Sequence, residues 1–320
     1  MQSKTKGVVL ISVLLTVLLL SAVAVLIGNN YFVSFKRAQY LEFQTRSLNI
    51  FTNIESLALK KIDNELRFNS QIHAKNNALF INDFIFDTDR GLVAGRIEDA
   101  SNCFNVNALV SKSKTSFKLN KKNINAFKRL MVLNDVENNL VDEAIDQIVD
   151  WIDEDSNPRT YGLEDYYYSG PLNNPKEYTS GRMFFNINEL KSLPAIRAIG
   201  WDIFSQYFCA LPHNNLAINI NTISENKVIL LSSLFENLAY DDAEYIINNI
   251  PEDGLKNFND FQNLFPSYNL KMSQNYINFS SINFRLKTSL SFERYYSESI
   301  SKIYYETNNS YITSRIYNGI

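Results

Sequence analysis

Six carboxylates lie within sixteen residues in the segment DWIDEDSNPRTYGLED, which runs from Asp150 to Asp165. The first four fall at the predicted C-terminal end of a helix, where the helix dipole disfavours negative charge. A bound cation would relieve that repulsion, and the carboxylates, hydroxyls and carbonyl oxygens of such a loop are ligands that Ca²⁺ accepts. The segment therefore indicates a candidate calcium site.

The same segment allows two other interpretations. It lacks the D-x-D-x-D-G order of an EF-hand loop, so a solvated acidic turn without a metal is one alternative. A pair of carboxylates that act as general acid and base, as in a glycosidase, is the other. The chain has only two histidines, His73 and His213, so zinc sites or triads that depend on histidine have little material.

The chain has two cysteines, Cys103 and Cys209, both after the apolar N-terminal segment described below. In an oxidising compartment such a pair favours a disulfide over a metal site or a catalytic thiol. Two separate buried thiols are the alternative. The bond would close a long loop and contribute about 4–5 kcal/mol in the chain-entropy description.

Composition limits the class of protein. The chain has 320 residues, of which 45% are hydrophobic, and a formal net charge of −3. This length and apolar content are enough to bury one or two cores. The negative charge argues against a nucleic-acid partner, because phosphate binding needs clustered Lys and Arg.

The elements that position the acidic segment begin with an apolar run at residues 8–27, which has no charged side chain. At about 1.5 Å of rise per residue this run crosses the roughly 30 Å hydrocarbon core of a bilayer. Lys4 and Lys6 precede it, which keeps the N-terminus cytoplasmic. A plain signal anchor and a cleaved signal peptide are two interpretations. The basic leader that ends in Gly7 resembles a third, a type IV prepilin-type leader that is cut after the glycine.

Beyond Ile27 the sequence predicts one long helix, with a break near residues 28–30 as the alternative. Its apolar stripe recurs every three or four positions, at Leu48, Phe51, Ile54, Ala58, Ile62 and Leu66. Residues 78–99 alternate like two strands, and alternation returns from Leu270. Helical patterns lie between them, at residues 123–133, 136–151, 188–192, 194–209, 226–234, 241–249 and 257–264. This order predicts an α+β fold in which the helices are an insertion in a smaller sheet domain.

Together these segments resemble the minor pseudopilin K (GspK) family of the type II secretion system. The resemblance covers nearly the whole chain, and its specific signal is DWID-x-D followed by G-x-ED-x-Y. The ordered motifs are the leader ending in Gly7, CFNVNAL at 103–109, DWIDED at 150–155, GLEDYYY at 162–168, INELKSLPAIRAIG at 187–200, LP at 211–212 and INTIS at 220–224.

The resemblance implies a pseudopilin fold, in which a long N-terminal helix packs on a small antiparallel sheet with a large inserted all-helical domain. The expected parts are a leader, a transmembrane assembly helix, the helix continuation with the first strands, the insertion and the C-terminal strands, at residues 1–7, 8–27, 28–110, 111–268 and 269–320. Other pseudopilins usually have glutamate as the fifth residue after the cut, where this chain has Ser12. Absence of this glutamate is typical of protein K, and the resemblance therefore implies a position at the pseudopilus tip.

The resemblance also implies a function without catalysis. Such a protein caps or initiates the periplasmic pseudopilus tip with the minor pseudopilins I and J, and supports export of folded proteins across the outer membrane. Prepilin peptidase would cut between Gly7 and Val8 and methylate the new amine of a single-pass inner-membrane protein. Calcium is the implied cofactor, and Asp150 is expected to cap or brace its helix. The implied ligands are Asp153, Asp155, Glu164 and Asp165.

Two functions of other classes remain as alternatives at this point. One is a membrane-anchored periplasmic hydrolase that uses the acidic loop at residues 150–165. The other is a free-standing calcium-dependent binding module with an ordinary signal anchor. The metal dependence of stability and the processing of the N-terminus would separate these three functions.

Overall fold

The computed structural model describes residues 6–68, 74–88, 91–112, 116–268, 275–292 and 294–319. Short 3₁₀ segments lie at Val106–Leu109, Ile187–Ser192 and Glu225–Lys227. The helices and strands follow in this order: α1 (Lys6–Phe68), α2 (Ala78–Ile81), β1 (Phe84–Thr88), β2 (Gly91–Asp99), β3 (Phe104–Asn105), β4 (Val110–Lys112), β5 (Phe117–Leu119), α3 (Lys121–Val132), α4 (Asn138–Ile152), α5 (Asp165–Tyr168), α6 (Pro194–Ile199), α7 (Trp201–Tyr207), β6 (Phe208–Cys209), β7 (Ile218–Asn219), α8 (Val228–Leu234), α9 (Tyr240–Asn248), α10 (Phe258–Leu264), β8 (Ile277–Asn278), β9 (Asn283–Phe292), β10 (Tyr295–Glu306) and β11 (Asn309–Asn318).

Helix α1 is continuous over 63 residues. The predicted long helix is therefore confirmed, and the alternative break near residues 28–30 does not occur. Leu48, which was predicted on the buried stripe, is 38% exposed, because Phe43 and Ser47 continue the stripe at a spacing of four instead. The buried stripe consists of Phe43, Ser47, Phe51, Ile54, Ala58, Ile62 and Leu66.

The N-terminal part of α1 is apolar and exposed. Its most apolar window of 18 residues has a mean hydropathy of 3.0, and none of that window is buried. Among the described residues this is the one helix long and apolar enough to cross a membrane. Its exposure distinguishes it from the core helix of a soluble domain. A signal sequence has the same composition. Whether this segment is a membrane anchor or a cleaved signal therefore has to be decided from the protein family.

Five antiparallel strands form a sheet in the order β1-β2-β9-β10-β11, and the C-terminal half of α1 packs on one face. The ring centroids of Phe43 and Tyr295, at the start of β10, are 5.1 Å apart. Arg67 Nη2 donates to the carbonyl of Asn308, just past the end of β10, at 3.3 Å. Strand β10 therefore runs in the same direction as α1.

The inserted segment leaves the sheet at the end farthest from the apolar part of α1. Asp99, the last residue of β2, is paired with Phe284 at the start of β9. Asn283 is paired with Tyr304, near the end of β10. Because β10 ends beside the C-terminal end of α1, both connections to residues 100–282 leave from that distal end.

A polar cluster around Asp99 joins the sheet to the inserted segment. Asp99 Oδ1 accepts from the backbone N–H of Ser101 at 2.8 Å. Asp99 Oδ2 accepts from Asn219 Nδ2 at 2.9 Å, from Thr222 Oγ1 at 2.5 Å and from Ser281 Oγ. One carboxylate at the end of β2 thus binds three separate stretches of the chain beyond the sheet.

The inserted segment has its own hydrophobic core, which extends from Phe104 to Ile277. Helices α3 to α10 surround it, and the core is somewhat wider than the predicted boundaries of 111 and 268. Three short two-stranded ribbons, β3–β6, β4–β5 and β7–β8, accompany the helices. The sequence analysis did not predict these ribbons, so the domain is mainly rather than wholly helical.

The helix predicted at residues 194–209 is wrong as a single element. It consists of α6 and α7, separated by Gly200, and the chain then enters β6. Gly200 has φ of +107°, a conformation that residues with a Cβ rarely adopt. The glycine therefore ends α6 and redirects the chain.

Glu55 is a buried charge between α1 and the sheet, with 2% of its surface exposed. Arg315 Nε donates to both of its carboxylate oxygens at 2.9 Å, and Ser301 Oγ donates to Oε1 at 2.5 Å. Buried carboxylates need such partners, because their desolvation is costly. These contacts fix the position of α1 on β10 and β11.

We expect Arg315→Ala to lower the free energy of unfolding by about 2 kcal/mol, because it leaves Glu55 buried and poorly paired. Thermal unfolding of the full chain in detergent micelles measures the loss. Arg285→Ala is the matched control, since Arg285 approaches Glu98 only to 3.8 Å and is half exposed; its effect should stay below about 0.5 kcal/mol. Equal losses in both variants would contradict the assignment.

Candidate metal centre

Three buried carboxylates meet at the C-terminal end of α4. Asp150 lies in its last turn, Asp153 is its C-cap, and Glu164 precedes α5. Their residues are 0%, 7% and 1% exposed. One carboxylate oxygen from each lies within 4.8 Å of the other two. The amphipathic pattern of α4 buries this end of the helix, because its apolar side faces the core of the inserted domain.

The loop after α4 folds back over Asp150. The backbone N–H of Arg159 donates to Asp150 Oδ2 at 3.0 Å, and that of Gly162 donates to the carbonyl of Arg159 at 3.2 Å. A Cβ on Gly162 would lie 1.7 Å from Asp150 Oδ2. Glycine is therefore required at this position for the loop to close on the carboxylate.

Three oxygens in the cluster, Asp150 Oδ1, Asp153 Oδ1 and Glu164 Oε1, are buried and have no hydrogen-bond partner. Asp150 Oδ1 lies 3.2 Å from Arg159 Nε, without hydrogen-bond geometry. Buried carboxylate oxygens are normally paired. One oxygen of each of the three carboxylates lies within 4.8 Å of the other two, which is an arrangement that a hard cation such as Ca²⁺ would satisfy.

An aromatic wall closes one side of the cluster. Trp151 packs edge-on against Tyr168 with ring centroids 5.1 Å apart, and stacks on Phe184 at 6.2 Å. All three side chains are buried. Burial also raises the pKa of Tyr168 above its usual value, so its hydroxyl stays protonated at neutral pH.

Burial and mutual repulsion disfavour ionisation of the metal-free cluster. Burial is the main cause that raises the pKa of Asp150 to about 6, and that of Glu164 to about 7. Neighbouring carboxylates raise both further. The pKa of Asp153 is also raised by burial, although Arg159 opposes the shift.

The stability of the metal-free protein should therefore fall as the pH rises from 5 to 8. The folded state keeps protons on Asp150 and Glu164 up to about pH 6 and 7, whereas the unfolded chain loses them near pH 4. The folded state thus binds more protons in this window, and the stabilisation is lost through the folded pKa values. Thermal unfolding in a chelator at several pH values measures this.

The Asp150→Asn, Glu164→Gln double variant is the control, because its two side chains do not titrate. Its stability should change much less with pH over the same window. Stability of the wild type that rises with pH in chelator would contradict the prediction. Saturating Ca²⁺ should reverse the trend, because metal binding needs deprotonated carboxylates.

Of the four ligands implied by the sequence, the structure brings together Asp153 and Glu164. Asp155 is exposed, and its Oδ1 accepts from the backbone N–H of Asn157 at 2.8 Å. Asp165 Oδ1 accepts from Thr179, from the backbone N–H at 2.7 Å and from Oγ1 at 2.8 Å. Asp155 and Asp165 lie outside the group of converging oxygens.

Asp150 joins the cluster in their place. Asp150 was expected to cap or brace the helix, and it does hold the loop through the N–H of Arg159. Its spacing of three from Asp153 puts both side chains on one face of the helix. That spacing was the available signal that Asp150 and Asp153 point into the same site.

The predicted bond between Cys103 and Cys209 is present, with Cα atoms 5.8 Å apart and the two cysteines separated by 106 positions in sequence. It lies beside the parallel pairing of β3 and β6. The alternative of two free thiols does not apply. The bond ties the first strand of the inserted domain to the strand after α7.

The predicted processing site lies at the start of α1. Gly7 and Val8 are in its first turn, and Val8 is 66% exposed. The rest of the predicted leader, residues 1–5, lies outside the described residues. Cleavage and methylation stay predictions.

Comparison with known proteins identifies related chains. Two family models, both described as "Type II secretion system (T2SS), protein K", match residues 102–213 and 218–279, which together are more than half of the chain. The protein of that name from Aeromonas hydrophila is 32% identical over 54% of this chain and 54% of its own length. The one from Pseudomonas aeruginosa is 31% identical over 54% and 49%. The chain thus aligns with about half the length of these relatives.

Two further matches cover more of the chain. An Escherichia coli protein named after the same component is 26% identical over 79% of this chain and 77% of its own length. A chain in the crystal structure of the GspK-GspI-GspJ complex from enterotoxigenic Escherichia coli superposes with a TM-score of 0.75. That match covers 88% of this chain and 99% of the solved one at 20% identity, and it shows that the fold is shared.

Proposed function

Because the chain belongs to the type II secretion system protein K family, we propose that it is a minor pseudopilin that caps or initiates the tip of a periplasmic pseudopilus. In this role it has no catalysis of its own and supports export of folded proteins across the outer membrane. The shared fold over 99% of the solved chain in the GspK-GspI-GspJ complex is the observation that carries the proposal.

The position of the helical domain supports a place at the tip. Both of its connections, after Asp99 and before Asn283, leave the sheet at the end farthest from the apolar half of α1. In a fibre of parallel α1 helices, a further subunit would have to stack beyond this end. The helical domain would then occupy the volume which that subunit needs.

Ser12 supports the same position. Its hydroxyl donates to the carbonyl of Val9 at 2.9 Å within α1, so the side chain is neutral and already paired. A carboxylate in a membrane helix is costly unless it meets a charged partner. A subunit with none ahead of it has no need of that carboxylate.

The anchor and its processing follow from the same proposal. The apolar half of α1 would hold the protein in the inner membrane with its N-terminus in the cytoplasm, since Lys4 and Lys6 precede the run. Prepilin peptidase would cut between Gly7 and Val8 and methylate Val8. Helix α1 would then leave the bilayer as the protein enters the fibre.

The partners would be the minor pseudopilins I and J. The solved relative with the same fold is part of a GspK-GspI-GspJ complex. Exposed apolar residues on the membrane-distal half of α1, such as Leu57 at 43%, and on the edge strand β1, such as Ile85 at 64%, are available for such contacts.

Calcium would be the bound cofactor, held by Asp150, Asp153 and Glu164 with further oxygens from the loop. The three buried oxygens of these carboxylates that have no hydrogen-bond partner support this assignment. The ion would supply a structural brace that neutralises the end of α4. A hydrolase is disfavoured, because Asp153 and Glu164 are only 7% and 1% exposed and cannot contact a polymeric substrate from outside.

Intact-mass measurement of the membrane-extracted protein tests the function. In cells with an active prepilin peptidase we expect loss of residues 1–7, one added methyl group and co-purification with I and J. A Gly7→Val variant should keep its leader and fail to restore secretion in a strain that lacks the native protein. A wild-type chain that still starts at Met1 in such cells would overturn the proposal.

Thermal unfolding of the full chain in detergent, with Ca²⁺ or with a chelator, tests the cofactor. We expect Ca²⁺ to raise the unfolding temperature of the wild type. The Asp153→Asn, Glu164→Gln double variant should lose this response. Asp155→Asn is the matched control and should keep it, because Asp155 is exposed and outside the cluster. A response lost in Asp155→Asn alone would relocate the site.

A further inference from the structure

Arg159 contacts two of the three buried carboxylates. Its Nη2 donates to Asp153 Oδ2 at 3.3 Å, and its Nε lies 3.2 Å from Asp150 Oδ1. Of the described residues, it is the basic side chain paired with this cluster. An arginine side chain supplies a permanent positive charge.

The position of this charge is fixed by the backbone. The backbone N–H of Arg159 donates to Asp150 Oδ2 at 3.0 Å. The main chain therefore holds this residue against the cluster independently of its side chain. Pro158 restricts the residue before it, and Gly162 closes the turn by donating to the carbonyl of Arg159 at 3.2 Å. Arg159 is therefore a built part of the site.

The guanidinium leaves part of the cluster free. Asp153 Oδ1 and Glu164 Oε1 have no hydrogen-bond partner, whereas Asp153 Oδ2 and Asp150 Oδ1 face Arg159. A cation bound by the free oxygens would therefore not have to replace a hydrogen bond of Arg159. When all three carboxylates are ionised, as metal binding requires, they and the guanidinium together carry two negative charges, which a divalent cation neutralises.

We propose that Arg159 sets the charge selectivity of this site, by cancelling one of three carboxylate charges so that a divalent cation is matched and a trivalent cation is not. The inference rests on the proposed binding of a cation by Asp150, Asp153 and Glu164. It assigns to this residue a positioning and selectivity role rather than a ligand role.

The physical reason is the difference in repulsion between the guanidinium and the two kinds of ion. The repulsion between Arg159 and a trivalent ion is about one and a half times that between Arg159 and a divalent ion at the same place. In a buried site this difference is weakly screened. Loss of the charge should therefore favour trivalent over divalent ions. The affinity for Ca²⁺ should also rise, because its repulsion is removed as well.

Terbium luminescence measures this on the full chain in detergent, because the buried Trp151 next to the cluster can sensitise a bound Tb³⁺. Titration with Tb³⁺ and competition with Ca²⁺ give both affinities for each variant. We expect Arg159→Gln to raise the ratio of Tb³⁺ to Ca²⁺ affinity by at least about tenfold. Arg159→Lys, which keeps the charge, should leave the ratio nearly unchanged.

Lys128→Gln is the matched control. It removes one positive charge from the same domain, but Lys128 pairs with Asp142 on the surface, so its ratio should equal that of the wild type. An unchanged ratio in Arg159→Gln would overturn the inference. So would a fall in the affinity for both ions, which would show that Arg159 only holds the loop.

The wild type supplies a measurement that does not depend on the variant folding. Its affinities for Tb³⁺ and Ca²⁺ should lie within about tenfold of each other, because the site is matched to two charges. A wild-type preference for Tb³⁺ above about a hundredfold would overturn the inference while leaving the metal site intact. Absence of binding of either ion to the wild type would instead overturn the proposed metal site.

Discussion

Gly162→Ala should destabilise the inserted domain by about 3 kcal/mol and abolish Ca²⁺ binding. The added Cβ would lie 1.7 Å from Asp150 Oδ2 and 2.9 Å from the backbone nitrogen of Arg159. Gly162 is buried, so the loop or the carboxylate must move, and overpacking of this kind costs roughly 1–3 kcal/mol or more. Thermal unfolding of the full chain and Ca²⁺ titration measure the two effects.

Two further variants show that the cause is local. Gly28→Ala adds the same methyl group where no heavy atom lies within 4 Å, and it should leave stability unchanged or slightly higher. In an Asp150→Ala background the cost of Gly162→Ala should shrink, because the atom it meets is gone. An equal cost in both backgrounds would show that the strain comes from elsewhere in the loop.

Loss of the disulfide should have an effect of similar size. Cys103 and Cys209 are 106 residues apart in sequence, and closing a loop of about 100 residues is worth about 4.7 kcal/mol in the chain-entropy description. We expect the Cys103→Ala, Cys209→Ala double variant to lose about 4 kcal/mol of unfolding free energy in denaturant titration. The inserted domain should unfold first, since both cysteines belong to it.

Reduction of the wild type gives the matching experiment. A strong reductant should lower its stability by about the same amount and leave the double variant unchanged. A loss below about 1 kcal/mol in both cases would mean that the unfolded chain is already compact enough to keep the two segments close.

The long helix and the sheet follow from patterns that are local in sequence. Helix α1 has no proline and a regular apolar stripe, and β1 and β2 alternate as strands do. The two predictions that were wrong, the burial of Leu48 and the single helix at residues 194–209, depend on packing and backbone conformation that the local pattern does not show. Leu48 lies at the border of the stripe, and only the contact of Phe43 with Tyr295 shows which border the sheet covers. Glycine is tolerated in many helices, so its presence at position 200 does not by itself predict a break. The φ of +107° at Gly200 is visible only in the structure.

The candidate site was half predictable for a related reason. The acidic segment was visible in the sequence, and the family resemblance named Asp153 and Glu164, which the structure places in the cluster. Which other carboxylate joins them depends on how the loop folds. Asp155 accepts from the backbone N–H of Asn157, two residues on, and Asp165 accepts from Thr179, 14 residues further along the chain, whereas Asp150 joins the cluster. Hydrogen bonds of both kinds compete with ligand roles and are invisible in spacing alone.

The helical domain is connected to the sheet at two points that lie close together. Its two covalent connections leave from β2 and β9, which are neighbouring strands and therefore only about 5 Å apart. Two attachment points so close together resist twisting and swinging poorly by themselves. The four hydrogen bonds accepted by Asp99 restrain the domain at these two connections. The Asn76–Asp253 hydrogen bond and the contact of the His213 and Tyr304 rings add to this restraint, so a force along α1 would reach the helical domain through side-chain contacts as well as through the two connections.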